Sequence, residues 1–398
     1  MTEQRLTAEA ATHQKVTGAL LTFGITLDKV TLCLLENISG HYRLAAWDTL
    51  ARDAGVPPSH QCPLLCQRLG ERLGRPLWDA ATNGPFLHSA DPISQPALEH
   101  VAIGLSPRPR MRIWLVGLSD GGSIAAARRA LASAPLQLVG VTTLAPTLTS
   151  THLMTLLSEA HPEALVLVGG YDTPAPETQT WVSHLAQLVG QALERLSPGQ
   201  RPAVFYAGNR YCAASVEAGL RTMNGPLQFT VLANVQPSAG LAQPAALGVT
   251  LSDYFWRLCQ QMPGIHQVTQ WVTLPGRLLN LEAAFAQLVQ VWMTYQRLPV
   301  LHGLYCTPHW WLHVWAHEAE GVQLRFVKPG TRPPELADWP PLQLVSGDWP
   351  MELWPPASRC WWDRRGLGPV ITPVGQVAPM ALLQVLQHDL LAPRRAQG

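Results

Sequence analysis

The stretch that decides the fold is Ala164-Leu165-Val166-Leu167-Val168-Gly169-Gly170-Tyr171-Asp172. Five apolar residues followed by two glycines are typical of a buried strand that ends in a tight loop. A second strand of this kind, at 203–206, ends at Gly208-Asn209. Strands that alternate with helices predict an α/β fold with a mainly parallel sheet, and with a cleft at the carboxyl ends of its strands. The flanking segments with a helical pattern are 151–160, 178–196 and 213–223.

The same alternation continues upstream of this stretch. Residues 112–116 and 136–141 are predicted to be strands, and 123–134 is predicted to be an alanine-rich helix between them. Residues 18–35 predict two strands with a turn at Phe23-Gly24. The segment 84–109 is rich in Pro, Ser and Asp, so the sequence predicts an irregular connection there.

The last hundred residues differ from the rest, because they are rich in tryptophan and proline. After predicted helices at 252–261 and 278–296, apolar residues alternate along 310–317 and again along 322–327. This spacing predicts a β-hairpin at 309–327. The Trp-Pro stretch 339–362 could form a core or an exposed recognition surface.

Composition excludes some classes of function. The 398 residues are 47% hydrophobic and 14% charged, with a formal net charge of +1. Proteins that bind nucleic acid or membrane surfaces through charge need a concentrated basic patch, so neither partner is expected. Seven dispersed cysteines, a polar amino terminus and the lack of a membrane-length apolar run predict a reduced, cytoplasmic protein.

Two cysteine and histidine groups have spacings that metal sites also use. His309, His313 and His317 would share one face of a helix, but the alternation around them favours a strand in which they point outward with the neighbouring tryptophans. Cys62 and Cys66 lie one turn apart on a predicted apolar helix, which favours a buried structural role. No metal site is expected.

The glycines at the strand ends allow two interpretations. Backbone amides exposed beside Gly169-Gly170 or Gly208 would suit a phosphate group, because glycine lets a ligand approach the main chain closely. The same loops can also serve only as tight turns. Sequence spacing leaves both interpretations open.

An ordered set of segments resembles the MutL-like accessory proteins of cobalamin-dependent glutamate mutase, which are members of the actin-like ATPase superfamily. The most specific matches are Ala207-Gly208-Asn209 and Asn234-Val235-Gln236-Pro237. The first hairpin, Thr22-Phe23-Gly24-Ile25-Thr26-Leu27-Asp28-Lys29, stands where the family has Asp, an apolar residue, Gly, Ser, Thr, an aromatic residue, Thr and Lys. Further matching segments are 114–118, 162–172 and 366–375.

The resemblance implies an actin-like (ribonuclease H-like) bilobal α/β fold with β-hairpin phosphate loops and a Trp/Pro-rich β region at the carboxyl end. Residues 1–110 would form one subdomain, 111–270 the domain with the parallel sheet, and 271–398 the second subdomain. The resemblance also implies ATP with magnesium as the cofactor. The implied cofactor-binding residues are Gly24, Thr26, Lys29, Gly169, Gly170, Asp172, Gly208 and Asn209.

The sequence departs from the family where ATP chemistry would take place. Thr22 replaces the aspartate that orients magnesium and water, and Ile25 replaces the serine of the first hairpin. The expected second phosphate hairpin, 302–308, has no carboxylate, and Pro174 replaces a glycine amide donor. These losses predict a degenerate ATPase without hydrolysis.

Three functions are consistent with the sequence. The favoured one is a non-catalytic binding or scaffold protein whose partner is a cobalamin-dependent mutase. The second is an active ATP-dependent reactivase of such a mutase, in which Asp172, Asn209 and Thr26 would form the nucleotide site. The third is a sugar-kinase-like enzyme, which would also need a catalytic aspartate in the cleft.

Overall fold

The computed structural model describes residues 16–327, apart from 39–40, 54, 88–97, 133, 222–226, 274–277 and 308. The described residues fall into two compact units. Unit 1 holds those up to Arg108 together with Leu258–Gln323, and unit 2 holds Pro109–Arg257 and Leu324–Val327. The stretches 339–362 and 366–375 lie outside the described residues, and the three-domain division of the sequence stays a prediction.

Helices and strands follow one another along the chain in three groups. The first group is β1 Val16–Thr26, β2 Lys29–Ile38, β3 His41–Ala51, α1 Pro58–Leu73, β4 Trp78–Asp79, β5 Gly84–Pro85 and β6 Leu98–Ser106. The second is β7 Met111–Gly117, α2 Gly122–Ala132, β8 Leu136–Thr143, α3 Ser150–Ala160, β9 Ala164–Leu167, α4 Pro176–Glu194, β10 Ala203–Tyr206, α5 Ala213–Leu220, β11 Phe229–Val231 and α6 Ala245–Gln260. The third is α7 Ile265–Thr269, β12 Leu278–Asn280, α8 Leu281–Gln296, β13 Val300–Cys306, β14 Trp311–His317 and β15 Gly321–Val327.

Unit 1 is built on a five-stranded sheet in the order β12-β6-β1-β2-β3. Strands β1, β2 and β3 form an antiparallel meander, whereas β6 runs parallel to β1 and β12 runs parallel to β6. The carboxyl ends of the three parallel strands therefore lie at one edge of the sheet. Thr26 pairs there with Ser106, and Leu105 with Asn280.

Strand β6 corrects the sequence prediction, which placed an irregular connection at 84–109. It is a central strand of the sheet, with Val101, Ala102, Ile103 and Leu105 all buried. A continuous apolar run is typical of a strand covered on both faces. Because prolines and polar residues precede this apolar run, the sequence pattern did not indicate a strand there.

The first hairpin also differs from its prediction. Strand β1 continues through Phe23-Gly24, and the chain turns at 27–28 instead. Gly24 is buried in the middle of the sheet, where it pairs with Thr31 on β2 and with Gly104 on β6. Two neighbouring strands thus hold Gly24 in extended conformation, so it does not form a turn.

Unit 2 contains a second five-stranded sheet, in the order β11-β10-β9-β7-β8, in which every neighbouring pair is parallel. Helices α2 to α5 connect successive strands. The predicted α/β class with a parallel sheet is confirmed. The strand order corresponds to 2-1-3-4-5, a doubly wound arrangement whose order reverses between β7 and β9.

The carboxyl-terminal part of the described chain forms a three-stranded sheet, β13-β14-β15, which contains the predicted hairpin. The prediction that the odd-numbered residues point outward is wrong for His313, which is fully buried. Its ring stacks on His302 and on Trp315, with centroids 5.2 and 5.0 Å apart. Within the described ranges, no helix combines the length and the apolar character needed to cross a bilayer.

Candidate functional site

The carboxyl edge of the unit 2 sheet brings together the loops that follow β7, β9, β10 and β11. In doubly wound sheets, ligands bind in the crevice at this edge, where the strand order reverses. The predicted residues Gly169, Gly170, Asp172, Gly208 and Asn209 all lie on two of these loops. These five residues therefore lie at one edge of one sheet, and their role in cofactor binding stays a prediction.

Asn234, which follows β11, ties two of the loops together. Its Nδ2 donates to the Gly170 carbonyl oxygen and to Asp172 Oδ1, both at 2.9 Å. Its Oδ1 accepts the backbone N–H of Gln236 at 3.0 Å. Because Asn234 is buried, its whole amide group serves the protein itself.

Asn209, which follows β10, has a similar role. Its Nδ2 donates to the Thr173 carbonyl oxygen at 2.7 Å, and its Oδ1 accepts the backbone N–H of Tyr211 at 3.0 Å. The Tyr206 hydroxyl donates to the Asn209 carbonyl oxygen at 2.8 Å. Burial raises the pKa of Tyr206, which keeps this donor protonated.

The Asp172 carboxylate completes the same network. Besides Asn234, its Oδ1 accepts the backbone N–H of Arg210 at 3.0 Å, and the Arg210 guanidinium lies 4.0 Å from Oδ2. The Asp172 backbone N–H donates to the Pro237 carbonyl oxygen at 2.9 Å. The side chains of Asp172, Asn209 and Asn234 thus hold three loops in position.

The glycines of this edge permit close packing between the loops. A Cβ atom on Gly208 would lie 2.7 Å from the Gly169 carbonyl oxygen and 3.0 Å from the Gly169 nitrogen. Gly170 has a φ of 76°, and a Cβ atom there would lie 2.7 Å from Thr178 Cγ2. Side chains at these positions would push the loops apart, whatever the loops bind.

Sequence reasoning missed the loop after β7, residues 118–122. Ser119, Asp120, Gly121 and Gly122 are exposed there, directly before α2, at the point where the strand order reverses. Gly122 lies beneath the Gln236 amide group, since an added Cβ would clash with its oxygen. Two adjacent glycines between a strand and a helix were the available signal.

The predicted residues of the first hairpin, Gly24, Thr26 and Lys29, belong to unit 1 and so form a separate group. The Thr26 hydroxyl donates to Asp28 Oδ1 at 2.7 Å, and the Lys29 backbone N–H donates to Thr26 Oγ1 at 3.2 Å. Arg52 Nη1 donates to the Thr26 and Pro107 carbonyl oxygens, at 2.9 and 2.7 Å. The turn is therefore closed by contacts within the protein.

Two positions that depart from the family in this hairpin are buried. Thr22 and Ile25 are both fully inaccessible to solvent. No described residue hydrogen-bonds the Thr22 hydroxyl. A threonine in this position cannot supply the carboxylate that a magnesium site needs.

The sequence analysis did not single out Glu282, a carboxyl group at the edge of the unit 1 sheet. Glu282 is in the first turn of α8 and is only 4% exposed. The Ser106 hydroxyl at the end of β6 donates to its Oε1 at 2.5 Å, whereas its Oε2 has no partner among the described residues. Burial raises the pKa of Glu282 to about 7, and the hydrogen bonds from Ser106 and from its own backbone N–H oppose this rise.

The remaining candidate groups are the two cysteines of α1 and the histidines at 309, 313 and 317. Cys62 and Cys66 are buried in α1, and burial raises the pKa of both thiols, as expected of inert core cysteines. The strand conformation of β14 separates the histidines that a helix would have aligned. In the part of the chain that the structure describes, no cluster of three or more His, Cys, Asp or Glu residues could hold a metal ion.

Comparison with known proteins gives one informative result. No curated protein matches the chain. Among solved structures, T. thermophilus RuvC in complex with Holliday junction substrate matches 60% of this chain and 95% of its own, at 10% identity and a TM-score of 0.14. A TM-score that low supports no conclusion. The family model of the MutL protein matches residues 77–290, which is more than half of the sequence, and this chain therefore belongs to the MutL family.

Proposed function

We propose that this chain is a non-catalytic binding protein with an actin-like fold, which serves as an accessory protein of a cobalamin-dependent mutase. Membership of the MutL family supports the link to glutamate mutase. The unit 1 sheet, in which two parallel strands extend an antiparallel three-stranded meander, is the observation offered for the ribonuclease H-like fold that the resemblance implies. A cytoplasmic location is part of the same proposal.

The observation that carries the proposal is the position of Asp28. Its carboxylate is exposed at the first hairpin turn and accepts the Thr26 hydroxyl at 2.7 Å. In a working phosphate hairpin this hydroxyl would donate to the phosphate. A negative charge 2.7 Å from that donor both occupies it and repels an approaching anion. The lack of a carboxylate at position 22 likewise argues against ATP hydrolysis at this hairpin.

The carboxyl edge of unit 2 is the proposed ligand-binding edge of the protein. The side chains of Asp172 and Asn209 hold the loops, so a nucleotide would contact this edge mainly through backbone amides near Gly169, Gly170 and Gly208. The exposed loop 118–122 adds further amides at the start of α2. Binding without hydrolysis requires no catalytic carboxylate.

The purified 398-residue chain is expected to show no magnesium-dependent ATPase activity above a protein-free blank. The physical reason is that Thr22 stands where a metal-binding carboxylate would be needed, since removing one transition-state-stabilising group typically costs about 3 kcal/mol. Phosphate release should be measured with and without the purified mutase. A second measurement should test whether the mutase subunits co-purify with the chain.

The alternative is an active ATP-dependent reactivase. Turnover that rises with added mutase and is lost in Asp172→Ala would establish this alternative, provided that circular dichroism shows the variant to be folded. Arg221→Ala is the matched control, because the Arg221 side chain is exposed and forms an ion pair with Glu217 in the same unit. Equal activity in both variants and in the wild type would instead point to a contaminating ATPase.

A further inference from the structure

The buried carboxyl group of Glu282 has no role in the function proposed above. It lies where α8 begins, between the carboxyl ends of β6 and β12. Asn280 caps the helix, with its Oδ1 accepting the Ala283 backbone N–H at 3.0 Å. The first turn of α8 also carries the carboxyl group of Glu282, and burial disfavours its ionised form.

The contacts of Glu282 differ for its two oxygen atoms. Oε1 accepts the hydroxyl of Ser106, which is itself buried, at 2.5 Å. Oε2 has no hydrogen-bond partner among the described residues. A neutral carboxyl group tolerates this arrangement far better than a carboxylate, because an ionised oxygen without a partner in an apolar site is strongly disfavoured.

Helix α8 lies between the five-stranded sheet of unit 1 and strands β13 and β14 of the three-stranded sheet. It packs against β6 and β12 of the large sheet and against β13 and β14 of the three-stranded sheet. Phe285, one turn after Glu282, contacts Tyr305 on β13 with ring centroids 5.5 Å apart. A change at the first turn of α8 therefore acts on the attachment of the three-stranded sheet.

We propose that Glu282 is a proton-dependent switch: its neutral form holds the start of α8 against the end of β6, and its ionisation loosens that attachment. The raised pKa of about 7 places the transition near neutral pH. A carboxyl group whose pKa is raised in the folded state stabilises that state fully at low pH, and this contribution disappears as the pH rises through the folded-state pKa.

Other titratable groups lie on the elements packed against α8 and must be separated from Glu282. Glu99 and His100 are at the opposite end of β6, about 20 Å away along the strand. Asp28 and Arg52 are at the neighbouring hairpin turn. The titratable residues on β13 are His302, Tyr305 and Cys306, and those on β14 are His313 and His317. All of them remain in a variant changed only at Glu282.

The test is hydrogen–deuterium exchange of the amides of 281–287 in the 398-residue chain at pH 5 and pH 8, corrected for the intrinsic rate at each pH. We expect the opening equilibrium of this segment to rise on the order of 50-fold in the wild type. In Glu282→Gln, which is neutral at both pH values, we expect it to stay within about threefold. An equal rise in both proteins, or no rise in the wild type, would overturn the proposal.

A second variant keeps the proposal testable if Glu282→Gln does not fold. Ser106→Ala removes a hydrogen-bond donor that lowers the pKa of Glu282. The pH-dependent rise in the opening equilibrium of 281–287 should therefore remain but move to higher pH. A transition at the unchanged pH would contradict the assignment to Glu282. His302→Gln is the matched control and should leave the midpoint where it is in the wild type.

Discussion

Replacing Asn234 by alanine is expected to lower the free energy of unfolding of unit 2 by about 3 kcal/mol. The variant would lose three hydrogen bonds at once, two at 2.9 Å to Gly170 and Asp172 and one at 3.0 Å from Gln236. Since Asn234 is buried, water cannot easily replace these bonds. Urea unfolding followed by circular dichroism measures the change.

Ser197→Ala is the matched control for this prediction. Ser197 also makes a side-chain hydrogen bond in unit 2, to Gln200 at 2.9 Å, but it is exposed to solvent. Its replacement should change the free energy of unfolding by less than about 0.5 kcal/mol. If Asn234→Ala were equally mild, Asn234 would not be holding the loops, and a direct role in ligand binding would become the better explanation.

The sequence located the carboxyl edge of unit 2 well, because its signals are local. Apolar runs that end in glycines predict where strands stop, and parallel strands bring their carboxyl ends to one edge. The sequence could not show which way the side chains of Asn209 and Asn234 point. An asparagine after a strand has the same pattern whether it binds a phosphate or a neighbouring loop, and only the hydrogen bonds between distant segments distinguish the two.

The unit 1 edge was harder to predict, because its features depend on contacts far apart in the sequence. Ser106 and Glu282 are 176 residues apart. At the start of an amphipathic helix, Glu282 has the pattern of an ordinary exposed first-turn acid, which the helix dipole favours. Its burial follows from the packing of α8 on β6, a strand whose own apolar run was obscured by the residues before it.

The family resemblance showed which hairpin residues had changed, but it gave no account of what the replacements do. Asp28 stands where the family has a threonine. The structure shows that its carboxylate takes the hydroxyl of Thr26, the residue that the resemblance assigned to phosphate. The residue two positions away thus changes the contacts of Thr26, a predicted site residue that itself matches the family pattern.

Gly208→Ala is expected to destabilise unit 2 by about 3 kcal/mol, because the new methyl group would meet main-chain atoms. It would lie 2.7 Å from the Gly169 carbonyl oxygen, 2.8 Å from the Tyr206 ring and 3.0 Å from the Gly169 nitrogen. Tyr206 is fully buried, and Gly169 has a φ of 141°, so neither neighbour can move without disturbing the core or the loop. The change should appear as a lower urea midpoint.

Gly199→Ala separates this clash from the general effect of replacing glycine. A Cβ atom at Gly199, in the same unit, would meet no atom within 4 Å, and its φ is not positive. Alanine there should be neutral, or stabilising by up to about 1 kcal/mol, because it restricts the unfolded chain. If the two variants unfolded at the same urea concentration, the loops after β9 and β10 would have room to separate. Close packing between them would then not be the reason for glycine at 208, and contact with a ligand would account better for its place in the Ala-Gly-Asn segment.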